Sequence, residues 1–509
     1  MEDRHLTAAA LAPMLAGLAD AIPRYRALAD RLRLLAIDGR LAPGVRLPAE
    51  RDLATRMGLS RTTVTRAYAT LRDDGFLVSR RGSGSVITIP GPRPGPASWQ
   101  VAAGAAPGPT TAAAHAAVHE GEPVGPDDTA RAPHDVGRID LAKAAMPAAS
   151  QLAAAAAAAA QDLPRYLTGH DYDPVGLPAL RAALANRYTD LGLPTSPDEI
   201  LVTLGAQHAI GLVARTHLRR GDRAVVEMPT YPHALDAIID VGARPVPVPV
   251  TAGDGWDHAE LLRAVASGPR LAHLMPDLHN PTGASMHDDL REAVCRAAAR
   301  SGTTLVVDET TAQLDIDRPD PWRPFARHAA PGTQVVTIGS VGKTVWGGMR
   351  LGWVRADPGT LARLVAARHV HDLGTPILEQ LVLLHVLPHL DEIVTMRREQ
   401  LRATRDHLEA LLARRLPGWR VPHVHGGLAV WVELDEPRSS QLAVVAGERG
   451  LQISAGPRFG TDGEFERHLR IPITNAVGIT TRAVDILADA WATITATPAR
   501  AYSHASWPV

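Results

Sequence analysis

Residues 339–350 read GSVGKTVWGGMR and carry Lys343, one of two lysines in a chain of 509 residues. The other is Lys143, so arginine supplies nearly all of the 53 basic side chains. A guanidinium stays protonated in a protein, whereas an ε-ammonium gives up its proton when desolvated or set beside other cations. The neutral amine is then a nucleophile that condenses with an aldehyde to a Schiff base. On the lysine alone, a chance surface position competes with this reading. The surrounding sequence has to decide.

Just upstream, QVVTIGS (334–340) is a short apolar run of strand character. EILVTLGA (199–206), RAVVEMP (223–229), RLAHLMPD (270–277) and TTLVVDET (303–310) are of the same kind, with alanine-rich helical stretches between them. That alternation predicts a mostly parallel sheet covered by helices on both faces.

The strand ends carry the chemistry. Gly205, Ala206 and Gln207 lie between a strand and a helix, where free amides can hold a phosphate. Ser340 and Arg350 flank Lys343 and can reach the same phosphate if the segment loops round it. Tyr231 in MPTYP offers a ring for stacking, and Asn280 in HNPTG an amide for a phenolic oxygen. Asp308 ends a strand and could keep a pyridine nitrogen protonated. Arg470 in HLRIPIT is a fork for a carboxylate. Taken singly, these residues also read as a turn, a helix cap, a core ring and a surface charge.

In this order the series is similar to the fold-type I aminotransferases, over about residues 140–495. YDPVGLPALRAALANRY (172–188) matches as well. The resemblance implies pyridoxal 5′-phosphate as cofactor, bound to Lys343, with Gly205, Ala206, Gln207, Tyr231, Asn280, Asp308, Ser340 and Arg350 around it. It implies that Tyr172 reaches the phosphate of a neighbouring subunit, hence a homodimer, and that Arg470 takes the carboxylate of an effector. Three positions depart from the pattern. Asp308-Glu309-Thr310 stands for Asp-x-Tyr, leaving Thr310 as the partner of the phenolic oxygen. Gly342 replaces the serine before the lysine, and His233 replaces an arginine of some relatives.

The first 89 residues read differently. They hold 14 arginines against nine carboxylates, a net +5 on a chain whose total is −1. A basic segment on a slightly acidic body suggests an anionic partner. Three helices and a hairpin are predicted. The second helix ends at Gly58, Ser60 caps the third, and Val64, Ala67, Tyr68 and Leu71 form its buried stripe. A short helix, a tight turn and a helix with polar residues at its start suit the major groove. From about Tyr25 to Ile89 the segment resembles the winged helix-turn-helix of the GntR regulators, in GRLAPGVRLP, ERDLA, GLSRTTV and DGFL. The resemblance implies a double-stranded DNA operator as partner. Arg51, Arg61, Thr62 and Thr63 would meet the major groove and its phosphates, and Arg81 and Gly82 the minor groove. Thr65 stands where that family often has a basic residue.

Between the two, residues 90–138 are rich in Pro, Gly and Ala and read as a linker. The expected domains are therefore 1–89, 90–138 and 139–509, the last a fold-type I α/β domain with a smaller C-terminal α/β subdomain. This is the plan of the MocR-type regulators. Cys295, the one cysteine, excludes internal disulfides and multi-cysteine metal sites, and we assign no metal ligands. There is no run of 18 apolar residues and no clean signal peptide, so a cytoplasmic protein without a membrane partner is expected. Three functions compete: a regulator sensing a small amine, an amino acid or pyridoxal phosphate through the bound cofactor; a working aminotransferase with a DNA-binding appendage; and a regulator whose body is a scaffold without cofactor.

Overall fold

In a computed structural model of the chain, residues 5–15, 23–37, 40–80, 84–88, 138–170, 172–318, 322–461 and 463–496 are described. The chain divides into two compact units, Met1–Ala12 with Ile22–Ile139, and Pro13–Ala21 with Asp140–Val509. The wing tip with Arg81 and Gly82, and all of the expected linker except Arg138, lie outside the described residues.

The first unit contains helices α1 (Arg24–Ile37), α2 (Glu50–Met57) and α3 (Arg61–Asp73), then an antiparallel pair, β1 (Leu77–Arg80) and β2 (Gly84–Ile87). Gly58 stops α2 by entering the left-handed region at φ 63°, which costs a residue without Cβ little. Two residues later Ser60 caps α3, its Oγ accepting from Thr63 N at 3.1 Å. Val64, Ala67, Tyr68 and Leu71 are all buried, as the helical spacing requires. Tyr68 carries its hydroxyl to Pro48 O at 3.0 Å, fixing the turn before α2.

The second unit is built on an eight-stranded sheet. Its strands are β3 (Ile200–Thr203), β4 (Arg223–Met228), β5 (Arg244–Thr251), β6 (Gly255–Trp256), β7 (Leu271–Leu274), β8 (Thr304–Asp308), β9 (Val335–Ser340) and β10 (Gly352–Arg355). The order is β3-β10-β9-β8-β7-β4-β5-β6. β9, β8, β7, β4 and β5 run parallel, while β10 is antiparallel to both neighbours. All five residues of β8 are buried, which suits a strand covered on both faces. Alternate side chains go to opposite cores. Val306 packs in the core that holds Ile210 and Val213, whereas Leu305 and Val307 share the other with Val294 and Cys295.

The long helix α6 (Leu390–Arg415) leads to a smaller antiparallel sheet of β11 (Ala429–Glu433), β13 (His468–Pro472) and β12 (Ser454–Ala455), in that order. Among the described residues, no helix is long and apolar enough to cross a membrane.

Candidate functional site

In the main sheet β3 and the parallel strands end on one edge, and the predicted residues follow those ends. β3 runs through Gly205 into helix α4 (Ala206–His217), and β4 runs to Tyr231, which precedes α5 (Pro232–Asp240). Asn280 follows β7, Asp308 closes β8, and Ser340 closes β9 three residues before Lys343. In open α/β sheets ligands bind in the crevice beyond such ends.

Lys343 is half-buried and donates to Ala144 O at 2.8 Å, a carbonyl rather than a carboxylate. Burial, reinforced by the Arg470 guanidinium, pushes its amine down to about 8, against an opposing pull from Asp308. Tyr231 feels Asp308, Arg470 and Arg350, and burial drives its phenol up to about 12. Arg470, on β13, lies over the Phe459 ring at 5.2 Å and donates to Ala142 O. Burial brings its guanidinium down to about 10. Lys343, Asp308, Tyr231, Arg350 and Arg470 are thus electrostatic neighbours, although they are scattered over more than 200 residues.

Arg350 reaches the turn before α4, its Nη2 donating to Leu204 O at 3.2 Å. Gly205 there has φ +86°, and a Cβ on it would come 3.3 Å from the same Nη2. Gly352 closes the turn from the other side, where a Cβ would fall 2.9 Å from Gly205 C. Only bare backbone fits, which leaves the first amides of α4 beside a guanidinium. That pairing favours an anion. Ser340 holds the lysine loop, donating to Leu351 O at 2.8 Å and accepting from Gly342 N at 3.1 Å.

Thr310 donates its backbone N–H to Asp308 Oδ1 at 2.9 Å and lines a small cavity with Glu309, Tyr188, Trp322 and Ser340, the residue that closes β9 before Lys343. Tyr172 is 74% exposed. In the first unit Arg51, Arg61 and Thr62 are exposed and Thr63 is half-buried beside Ser60. Thr65 donates to Glu50 at 2.6 Å and is tied to α2.

A buried polar group within electrostatic reach of Asp308 escaped sequence reasoning. His273, on β7, is buried, and burial pushes its imidazole down against the pull of the Asp308 and Glu227 carboxylates. Glu227 accepts from Trp256 Nε1 at 2.9 Å and Met275 N at 2.9 Å, with His279 Nε2 at 3.3 Å. Its signal was available: a glutamate and a histidine interrupt strands that are otherwise apolar.

Residues 134–490 match the family model of aminotransferase class I and II. The chain belongs to that family. Residues 24–87 match the bacterial regulatory proteins of the gntR family, so this aminotransferase-family chain carries a GntR helix-turn-helix at its start. It is similar along most of its length to the HTH-type transcriptional regulator YdcR of Escherichia coli (strain K12), at 27% identity over 88% of this chain and 94% of YdcR. The probable rhizopine catabolism regulatory protein MocR of Rhizobium meliloti is 29% identical over 66% of each chain. Among solved structures it resembles LysN, the α-aminoadipate aminotransferase of Thermus thermophilus complexed with N-(5′-phosphopyridoxyl)-L-leucine. That match has a TM-score of 0.65 at 27% identity, covering 71% of this chain and 94% of LysN. The fold is the fold-type I aminotransferase fold, and a GntR head on this family's body is the MocR-type architecture.

Proposed function

We propose that the protein is a transcription regulator that grips DNA with its GntR head and senses a small amine, an amino acid or pyridoxal phosphate through cofactor held in its body. The observation that carries this reading is Lys343. It is a shielded lysine with a lowered pKa, beside Arg470 and Asp308, at the strand ends of a chain that also has a capped helix-turn-helix.

The residues present fit pyridoxal 5′-phosphate. Gln207 Oε1 and Arg470 Nε are buried with no hydrogen-bond partner, polar atoms that ask for a ligand. The amides after Gly205, with Ser340 and Arg350, would hold its phosphate. Tyr231 would cover the ring, Asn280 would face the phenolic oxygen, and Asp308 would hold a proton at the ring nitrogen. When bound, the group supplies an aldehyde for amines and an electron-withdrawing ring. Lys343 offers its amine and yields to an incoming amine, whose carboxylate Arg470 would take.

Sensing needs no turnover. Thr310 in place of a tyrosine removes a phenol from the site, which favours binding over rapid catalysis. The signal has to favour one arrangement of the heads, since a ligand with equal affinity for both would shift nothing. Because Tyr172 is exposed, the body is taken as a homodimer in which it serves the partner.

The test uses the full-length protein. A visible absorption band, and a borohydride-fixed cofactor that peptide mapping places on Lys343, are expected. Operator affinity should then respond to an amine or to cofactor removal. Fast multiple turnover of an amino donor and a keto acid, with operator binding indifferent to every ligand, would put the aminotransferase reading first. Absence of the band after incubation with pyridoxal phosphate would leave only the scaffold reading.

A further inference from the structure

Far in sequence from the site above, Asp317, His423 and His425 bring three ligand atoms within 4.8 Å of one another. Backbone pairing assembles them. Residues 314–317 and 424–427 run antiparallel, with Gly427 N donating to Leu314 O at 2.9 Å and Ile316 N to His425 O at 2.8 Å. His423 and His425 are two residues apart on an extended segment and so share a side. Their rings meet at 5.3 Å.

The hydrogen bonds around the cluster set its chemistry. His423 Nδ1 lies 3.0 and 3.1 Å from the two oxygens of Glu409, so it donates there. The neutral ring then has a bare lone pair on Nε2, which faces Asp317 Oδ2 at 3.4 Å. Two acceptors face each other, and a cation between them resolves the conflict. It would be a proton on His423 or a metal ion shared with His425. A carboxylate holding the far nitrogen of a ligating histidine is the usual support of a metal site. Asp317 is oriented in the same way, since Arg402 donates to its Oδ1 at 2.7 Å and Arg405 to its Oδ2.

We propose that Asp317, His423 and His425 form a site for a divalent transition-metal ion of the zinc type. Two imidazoles and one carboxylate suit such an ion, with water filling the open position. Because both histidines are exposed, the ion would enter from solvent and close the set by rotating the His425 side chain. Bound there, it would clip the loop after β8 of the large sheet to the segment that enters β11 of the small one.

The full-length protein, stripped with a chelator, is titrated with Zn²⁺ at pH 7.5 alongside His423→Gln and His425→Gln. The wild type should bind one more equivalent than either variant, and zinc should raise its Tm by several degrees while leaving theirs unmoved. Equal zinc stoichiometry in all three proteins, or no zinc bound by the wild type, overturns the site in favour of a protonated His423 between two carboxylates. Circular dichroism of the variants separates ligand loss from unfolding.

Discussion

Lys343 shows how burial turns a common side chain into a reagent. Its amine titrates near 8 instead of the ordinary 10.5, first because water is excluded and next because Arg470 is close. Only the neutral form is nucleophilic, so covalent capture of pyridoxal phosphate by the stripped protein should quicken about tenfold per pH unit up to pH 8 and then level off. Absorbance stopped-flow between pH 6 and 9 reads this, and a flat profile would contradict it. Lys343→Ala should leave no borohydride-reducible link. Glu309 makes the opposite case. Burial raises its carboxyl from the usual 4.5 to about 8, although Phe325 N donates to it at 2.8 Å. The unfolded chain loses that proton near 4.5 while the folded chain keeps it until about 8. This group's contribution is therefore present below 4.5 and is lost as pH rises to 8. Glu309→Gln should raise Tm at pH 8 and change it little at pH 4.5. A uniform shift at both would refute the assignment.

At the scale of elements, α3 carries the head. Its first turn leaves amides that Ser60 satisfies, and its buried stripe leaves Arg61 and Thr62 exposed. Ser60→Ala should cost the head about 1 kcal/mol, measured by denaturant unfolding, and should weaken operator binding through loss of the helix start. Arg61→Ala should leave stability unchanged and weaken binding by about 1–3 kcal/mol if it reads a guanine. Affinity equal to wild type in both variants would rule out α3 as the reading helix. Thr65 belongs to this scale too. Its bond to Glu50 makes it a strut between α2 and α3.

For the whole molecule the question is what covers the exposed apolar residues of the body. Leu167 is 69%, Tyr172 74% and Val370 80% exposed. The segments that carry Tyr172 and Leu373 touch, since a Cβ on Gly374 would fall 2.3 Å from Asp173 O. We take them as surface that a partner subunit covers. We expect sedimentation to give a dimer, and an operator with two half-sites. Leu167→Glu with Val370→Glu should shift the protein towards monomer, release cofactor that Tyr172 of a partner would help to hold, and weaken operator binding. A double variant that stays dimeric with full cofactor would place the interface elsewhere.

The sequence by itself determined the local and periodic features. Strand runs such as TTLVVDET, the stripe of α3 and the cap at Ser60 depend on neighbours within a turn or two, so spacing alone reveals them. Gly205, Tyr231, Asp308 and Lys343 follow or close elements whose pattern can be read, whereas Asn280 lies beyond β7 and Arg470 in the middle of β13, and the resemblance to the fold-type I aminotransferases is what joined them into one site. Only the tertiary structure decided what meets across the chain. It set Ala144 O on the lysine, His273 within electrostatic reach of Asp308 and Glu227, and Asp317 beside His423 and His425. These contacts join residues with no shared periodicity, brought together by strand order and backbone pairing, and no local pattern encodes that pairing.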